Sequence, residues 1–132
     1  MDLQQTRAFF QGDRFATECA DTQILEIADN YAKCALTIRP QHCNAIGRPM
    51  GGVIFTLADF CFAVAANHET HTTVSQAAQI TFLGTARGKQ LIAEANAIRV
   101  GRTTCLYQID ICDELGTKVA FVTVNGYNTA GT

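Results

Sequence analysis

The sequence predicts an α+β domain in which an antiparallel β-sheet wraps around one long central helix, and three observations predict it. Residues 53–66 form an apolar run suited to a buried helix. Two segments with strand chemistry precede that run and four follow it. No repeat, linker or low-complexity tract divides the 132 residues, and a chain of this length buries roughly two-thirds of its unfolded surface in a single core. Residues 1–22 form an N-terminal helical segment, and residues 23–132 form the main domain.

Each element has its own signal. Residues 3–19 carry a loose helical pattern with Leu3, Phe10 and Phe15 as apolar points and Gly12 as a break. From Gln23 the period changes: QILEIA, a turn at Asp29–Asn30 and YAKCALTI predict a hairpin with Ala32, Cys34, Leu36 and Ile38 on one side. Pro40 to Gly52 is a loop that feeds the helix. After His71, the segments TVSQAAQITFLG, QLIAEANAIRV, TTCLYQIDIC and TKVAFVTVNGY predict four strands. Thr103, Cys105, Tyr107, Ile109 and Ile111 share one face of the third. Gly101–Arg102 suits a tight hairpin, and Glu114–Leu115–Gly116 a longer one.

Composition excludes several classes of function. The net charge is −2, with Lys and Arg scattered, so there is no electrostatic footprint for nucleic acid or an anionic membrane. The N-terminus lacks a basic region followed by an apolar core, and 53–66 is shorter than the ~20 residues that span a bilayer; the expected location is the cytoplasm. The six cysteines show no CxxC spacing and are expected as reduced thiols, with Cys34, Cys61, Cys105 and Cys112 acting as small buried hydrophobes. His42 beside Cys43 has no visible third member for a catalytic constellation.

Two features of the helix carry chemistry. Gly51 and Gly52 open it, where backbone N–H groups lack intrahelical partners and the dipole favours negative charge. Without a side chain at Gly51 a ligand oxygen can approach the backbone, as an oxyanion site requires; a tight turn into the helix is the alternative reading. Asp59 is the one charged residue from Val53 to Ala66. Apolar surroundings would raise its pKa and suit a general base or nucleophile, whereas an ion pair with a distant cation such as Arg39 would make it structural. Eight residues at ~1.5 Å each separate Gly51 from Asp59 by about 12 Å. Two groups acting on one carbonyl cannot lie so far apart, so if both act, two subunits build the site.

The pattern N-x-x-G-x-x-x-G-G-x-x-x-x-L-A-D, with Asn44, Gly47, Gly51, Gly52, Leu57, Ala58 and Asp59, resembles the hotdog-fold acyl-CoA thioesterases of the phenylacetic acid degradation (PaaI) type. The terminal strands, with a GR hairpin and a D-x-x-G-x-x-V-A turn, are similar to that family over roughly Gln23 to Tyr127. The resemblance implies a single hotdog domain that hydrolyses acyl- or aryl-acyl-CoA with no cofactor, coenzyme A entering as part of the substrate. It implies Asp59 as general base or nucleophile, the Gly51 N–H as the group polarising the carbonyl, and Asn44 as a residue positioning substrate or water. Gly52 and Ser75 are implied in substrate and water binding, and Arg87, Lys89 and Arg102 in meeting the coenzyme A phosphates. A homodimer, paired into a dimer of dimers, is the implied assembly.

One position departs from that pattern. Met50 stands where the family usually has a histidine, and a thioether donates no hydrogen bond. That leaves slower activity, another acyl group, or a non-catalytic acyl-CoA binder of the same fold as alternatives. A dehydratase of this fold would need a catalytic histidine that has no match here. His42 could replace the lost donor, though a surface histidine is the expectation. The segment HETH, His68 to His71, lacks the i, i+4 spacing of a zinc-protease motif and is expected to bind no metal.

Overall fold

The computed structural model describes residues 1–131. Its elements are helix α1 (Leu3–Phe10), strands β1 (Gln23–Ala28) and β2 (Tyr31–Thr37), helix α2 (Gly51–Asn67), and strands β3 (Thr73–Phe82), β4 (Gln90–Val100), β5 (Thr104–Asp113) and β6 (Lys118–Asn128). Short π- and 3₁₀-turns fill Phe15–Cys19 and Pro40–His42. The six strands form one antiparallel sheet in the order β1-β2-β4-β5-β6-β3. With α2 against its concave face, this is the hotdog arrangement the sequence predicts.

The reason α2 sits there is in its burial pattern. Val53, Ile54, Leu57, Ala58, Phe60, Cys61, Phe62, Val64 and Ala65 are buried, and Leu57, Cys61 and Val64 are wholly inaccessible. They meet Leu91 of β4, Ile109 of β5 and Val122 of β6 in a single core. Each such aliphatic side chain contributes about 1.5–3 kcal/mol on burial. Gly52, Phe55, Thr56, Asp59, Ala63 and Ala66 remain as an outward stripe that none of the described residues covers fully; their spacing of three, four and seven is one face of a helix.

Residues 1–22 share this core. Asp2 and Gln5 form a capping box at the start of α1, and Phe10, Ala16 and Ala20 are buried with α2. The Phe10 and Phe60 rings meet edge to face with centroids 6.0 Å apart. Arg7 donates from Nε and Nη2 to the Ile24 carbonyl at 2.9 and 2.8 Å, which covers part of the β1 edge.

Strand β5 alternates as predicted, with Cys105, Tyr107, Ile109 and Ile111 buried. Strand β3 does not alternate. Eight of its ten residues are exposed and none is buried, because it lies at the sheet edge, paired only with β6. All six cysteines are free thiols. Cys34 and Cys61 are fully buried, while Cys112, expected in the core, is half-buried on the outer side of β5, where the strand's alternation directs it.

Candidate active site

The loop from Pro40 to Met50 positions the start of α2. Its centre is a turn held by Asn44, whose Oδ1 accepts from the Ile46 and Arg48 N–H groups at 3.1 and 3.2 Å. Those two donors fix the side-chain amide so that Nδ2 faces away from the turn. Gly47, at φ +80°, takes the left-handed conformation that closes it. At its base the Met50 N–H donates to the His42 carbonyl at 2.8 Å.

His42 corrects an expectation. It is not a surface residue: it is 3% exposed, its Nδ1 accepts from the Arg39 N–H at 3.0 Å, and its Nε2 donates to the Ala20 carbonyl at 2.9 Å. Because a carbonyl can only accept, Nε2 carries the proton and both ring nitrogens are used. His42 therefore ties the loop to the N-terminal segment and has no donor left to replace the histidine absent at position 50.

Helix α2 begins with Met50 as its N-cap, without a side-chain cap. The Val53 and Ile54 N–H groups bond to the Met50 carbonyl at 3.0 and 3.3 Å. Among the described residues those of Gly51 and Gly52 have no acceptor. Two adjacent donors at the positive end of the helix dipole thus face outward. A side chain lies close over each glycine. A Cβ on Gly51 would stand 2.9 Å from Cζ of Phe82, and one on Gly52 would stand 2.7 Å from Cε of Met50.

Two grooves flank this helix end. One, of about 540 Å³, brings Asn44 and Gly51 together with Arg48, Ile54, Phe82 and Thr85. The other, of about 410 Å³, contains Met50, Gly52, Val53 and Thr56 beside Phe15 and Ala20. Arg48 and Phe82 were not among the candidates from sequence. Arg48 stands at an unspecified position of the loop motif and Phe82 looked like an ordinary strand residue, so neither carried a signal of its own.

Asp59 lies in neither groove. It belongs to the outward stripe of α2 and is exposed in a single chain. The helical phase is the reason, since position 59 follows 52 and 56 on the open face. Arg39 is not its partner, for that guanidinium pairs with Asp21 at 3.3 Å. Partial desolvation nonetheless raises the Asp59 pKa above the ordinary aspartate value, and the Asp13 carboxylate adds like-charge repulsion.

The remaining candidates divide between the two ends of α2. Arg87 is exposed near the Gly51 end, next to the groove residue Ala86. Ser75 is exposed near the start of β3, which is pinned to the helix C-terminus by Asn67 bonding both Thr73 N–H and carbonyl at 2.9 Å. Arg102 is exposed in the β4–β5 hairpin, whose Gly101 shares a cavity with Ala65 and His68 at that same end. One chain therefore does not bring Asp59, Ser75 or Arg102 to Gly51. His68 caps α2 and bonds the Ala28 carbonyl through Nε2 at 2.7 Å, and His71 stacks on Phe9.

Known proteins give this geometry a lineage. A family model described as the thioesterase superfamily matches residues 47–129. A putative esterase of Archaeoglobus fulgidus is 33% identical over 104 residues, 78% of this chain and 68% of its own. The acyl-coenzyme A thioesterase PaaI of Escherichia coli K12 is 28% identical over 130 residues, 98% of this chain and 92% of its own. The solved structure of E. coli PaaI superposes with a TM-score of 0.82 at 24% identity over 96% of both chains. A Streptococcus pneumoniae hypothetical thioesterase solved with coenzyme A gives 0.80 at 23% identity, over 92% of this chain and 95% of its own. This chain belongs to the thioesterase superfamily and is a thioester hydrolase with the hotdog fold.

Proposed function

We propose that the protein hydrolyses an acyl-CoA thioester at a site shared between two copies of the chain, with no cofactor beyond the coenzyme A of the substrate. The observation that carries this reading is the pair of unsatisfied N–H groups at Gly51 and Gly52, set about 12 Å from a carboxylate of raised pKa on the same helix. Two α2 helices placed antiparallel bring the Gly51 of one beside the Asp59 of the other, and the uncovered stripe on α2 offers the surface for such a contact. The name of the E. coli relative, an acyl-coenzyme A thioesterase, and the coenzyme A in the S. pneumoniae structure agree with this substrate class.

In this reading the thioester oxygen accepts from the Gly51 N–H, which stabilises the charge that develops there. Asp59 of the partner subunit removes a proton from water while the oxygen of that water bonds to the carbonyl carbon. The tetrahedral intermediate then breaks its C–S bond, and the thiolate takes the proton back from Asp59, leaving the acid. Direct attack by the Asp59 carboxylate to give an anhydride, followed by hydrolysis, uses the same groups. Asn44 Nδ2 orients the substrate, Ser75 holds the water, and Arg87 with Arg102 of the partner subunit meets the phosphates.

Mixed dimers test the shared site. Asp59→Asn removes the base at almost constant volume and is expected to lower kcat by ~10²-fold or more. Gly51→Pro removes the N–H, and Met50 already has the extended conformation, at ψ 144°, that a following proline requires; a Cβ at this position would stand 2.9 Å from Cζ of Phe82, whose ring must turn aside. Each homodimer is expected to be nearly inactive, and each heterodimer to regain up to half of the wild-type activity through its one intact site. No recovery after verified subunit exchange between folded variants sinks the shared site.

A further inference from the structure

The two sides of the α2 N-terminus differ in charge. The groove that reaches Gly51 carries Arg48, whose Nη1 donates to Thr85 Oγ1 at 3.5 Å, with Arg87 and Lys89 following its Ala86 wall in the chain. The groove that reaches Gly52 is walled by Phe15, Cys19, Ala20, Cys43, Met50 and Val53, with Gln41 and Thr56 as neutral polar members, and none of the described residues lining it is Asp, Glu, Lys or Arg. His42 also lines it, with both ring nitrogens already engaged. Phe15 is 66% exposed and Met50 52% exposed, so two large apolar side chains stand open beside the unsatisfied N–H groups.

A thioester carbonyl held at this helix end sends its two arms to opposite sides of it. We propose that the thiol arm lies in the Arg48 groove and the acyl arm in the groove between the N-terminal segment and Met50, so that Phe15 and Met50 select an uncharged, apolar acyl group. The assignment rests on the reading of the protein as an acyl-CoA hydrolase. Its physical basis is complementarity. The phosphates of coenzyme A gain charge-assisted hydrogen bonds from arginines. An acyl group ending in a carboxylate would lose its hydration against Phe15, Met50 and Val53, and none of the described residues lining the groove is a Lys or Arg that would pair with it. An apolar chain covers the same side chains favourably. Met50 thereby acquires a purpose as the flexible thioether floor of the acyl groove, its methyl lying over Gly52.

The test compares kcat/KM for acetyl-, hexanoyl- and succinyl-CoA and for the hexanoyl thioester of N-acetylcysteamine, which lacks phosphates. The wild type is expected to prefer hexanoyl- over succinyl-CoA. Phe15→Ser and Met50→Ser, each at an exposed side chain, are expected to lower the hexanoyl-to-acetyl ratio roughly tenfold. Arg48→Gln is expected to lower kcat/KM for the coenzyme A esters while leaving that ratio and the N-acetylcysteamine ester unaffected. A ratio unmoved by both groove variants, or one moved instead by Arg48→Gln or by Leu83→Ser, whose residue also lines the Arg48 groove, overturns the assignment. If the wild type turns over no thioester, the hydrolase reading fails on its own. The ratio is then measured as calorimetric affinities for hexanoyl and acetyl thioether analogues of coenzyme A, and equal affinities overturn the acyl groove.

Discussion

Asp59 and Asp13 belong together although forty-six positions apart in the sequence, since the second carboxylate contributes to the raised pKa of the first. With Asp59 as the proposed general base, which acts in its ionised form, kcat/KM is expected to fall on the acid side as pH drops through its pKa. That limb is expected above the ordinary aspartate range. Asp13→Asn removes a like charge, favours ionised Asp59 and shifts the limb to lower pH; a pH–rate profile identical to wild type would exclude the coupling. Asp59 was legible in the sequence because it is the one charge in an apolar run. Asp13 was not, because only the packing of the N-terminal segment on α2 brings it near. His42 was misjudged for a related reason: its two partners, Arg39 N–H and Ala20 carbonyl, are backbone groups with no sequence signature.

At the level of elements, turn chemistry was legible but its long-range use was not. The motif Asp113-x-x-Gly116-x-x-Val119-Ala120 marks the β5–β6 turn, where Gly116 takes φ +85° and Asp113 Oδ1 accepts from the Leu115 and Thr117 N–H groups at 3.0 and 2.8 Å. The same carboxylate also reaches the β3–β4 connection, with Oδ2 accepting from the Arg87 and Gly88 N–H groups at 2.8 and 2.9 Å. One side chain thus latches two loops beside the Gly51 groove. Burial opposes ionisation of Asp113, but the backbone donors of Gly88, Arg87 and Thr117 outweigh it and hold the pKa well below the usual carboxylate value. A depressed folded-state pKa gives stability that is present above the unfolded value of about 3.9 and is lost as pH falls through the folded one. Denaturant midpoints are therefore expected to fall below about pH 4 in the wild type. Asp113→Asn is expected to be less stable at neutral pH, having one acceptor where four donors converge, and to show a flatter acid dependence. Parallel midpoint–pH curves for the two proteins would rule out the latch as a source of that dependence.

For the whole molecule the informative contrast lies between the two edges of the sheet. The β1 edge is protected: six residues, Glu26 among them, an irregular register between Ile24 and Glu26, and Arg7 bonded to the Ile24 carbonyl. The β3 edge has ten residues, none charged, with Val74 and Phe82 more than half exposed. A long uncharged edge is a template for another strand, and the outward stripe of α2, with Asp59 in it, is another surface the single chain leaves uncovered. Pairing of β3 with its own copy in an antiparallel dimer would satisfy the free backbone groups and is compatible with the antiparallel α2 helices of the proposed shared site. Ala78 lies midway along β3 and is exposed, so Ala78→Lys costs the isolated chain little but sets two ammonium groups close together across a two-fold axis. The variant is expected to sediment as a folded monomer with unchanged circular dichroism, and to lose thioester hydrolysis along with the dimer. A monomeric Ala78→Lys protein that keeps wild-type turnover would show that one chain suffices, and Asp59 and Gly51 could not then act on the same carbonyl.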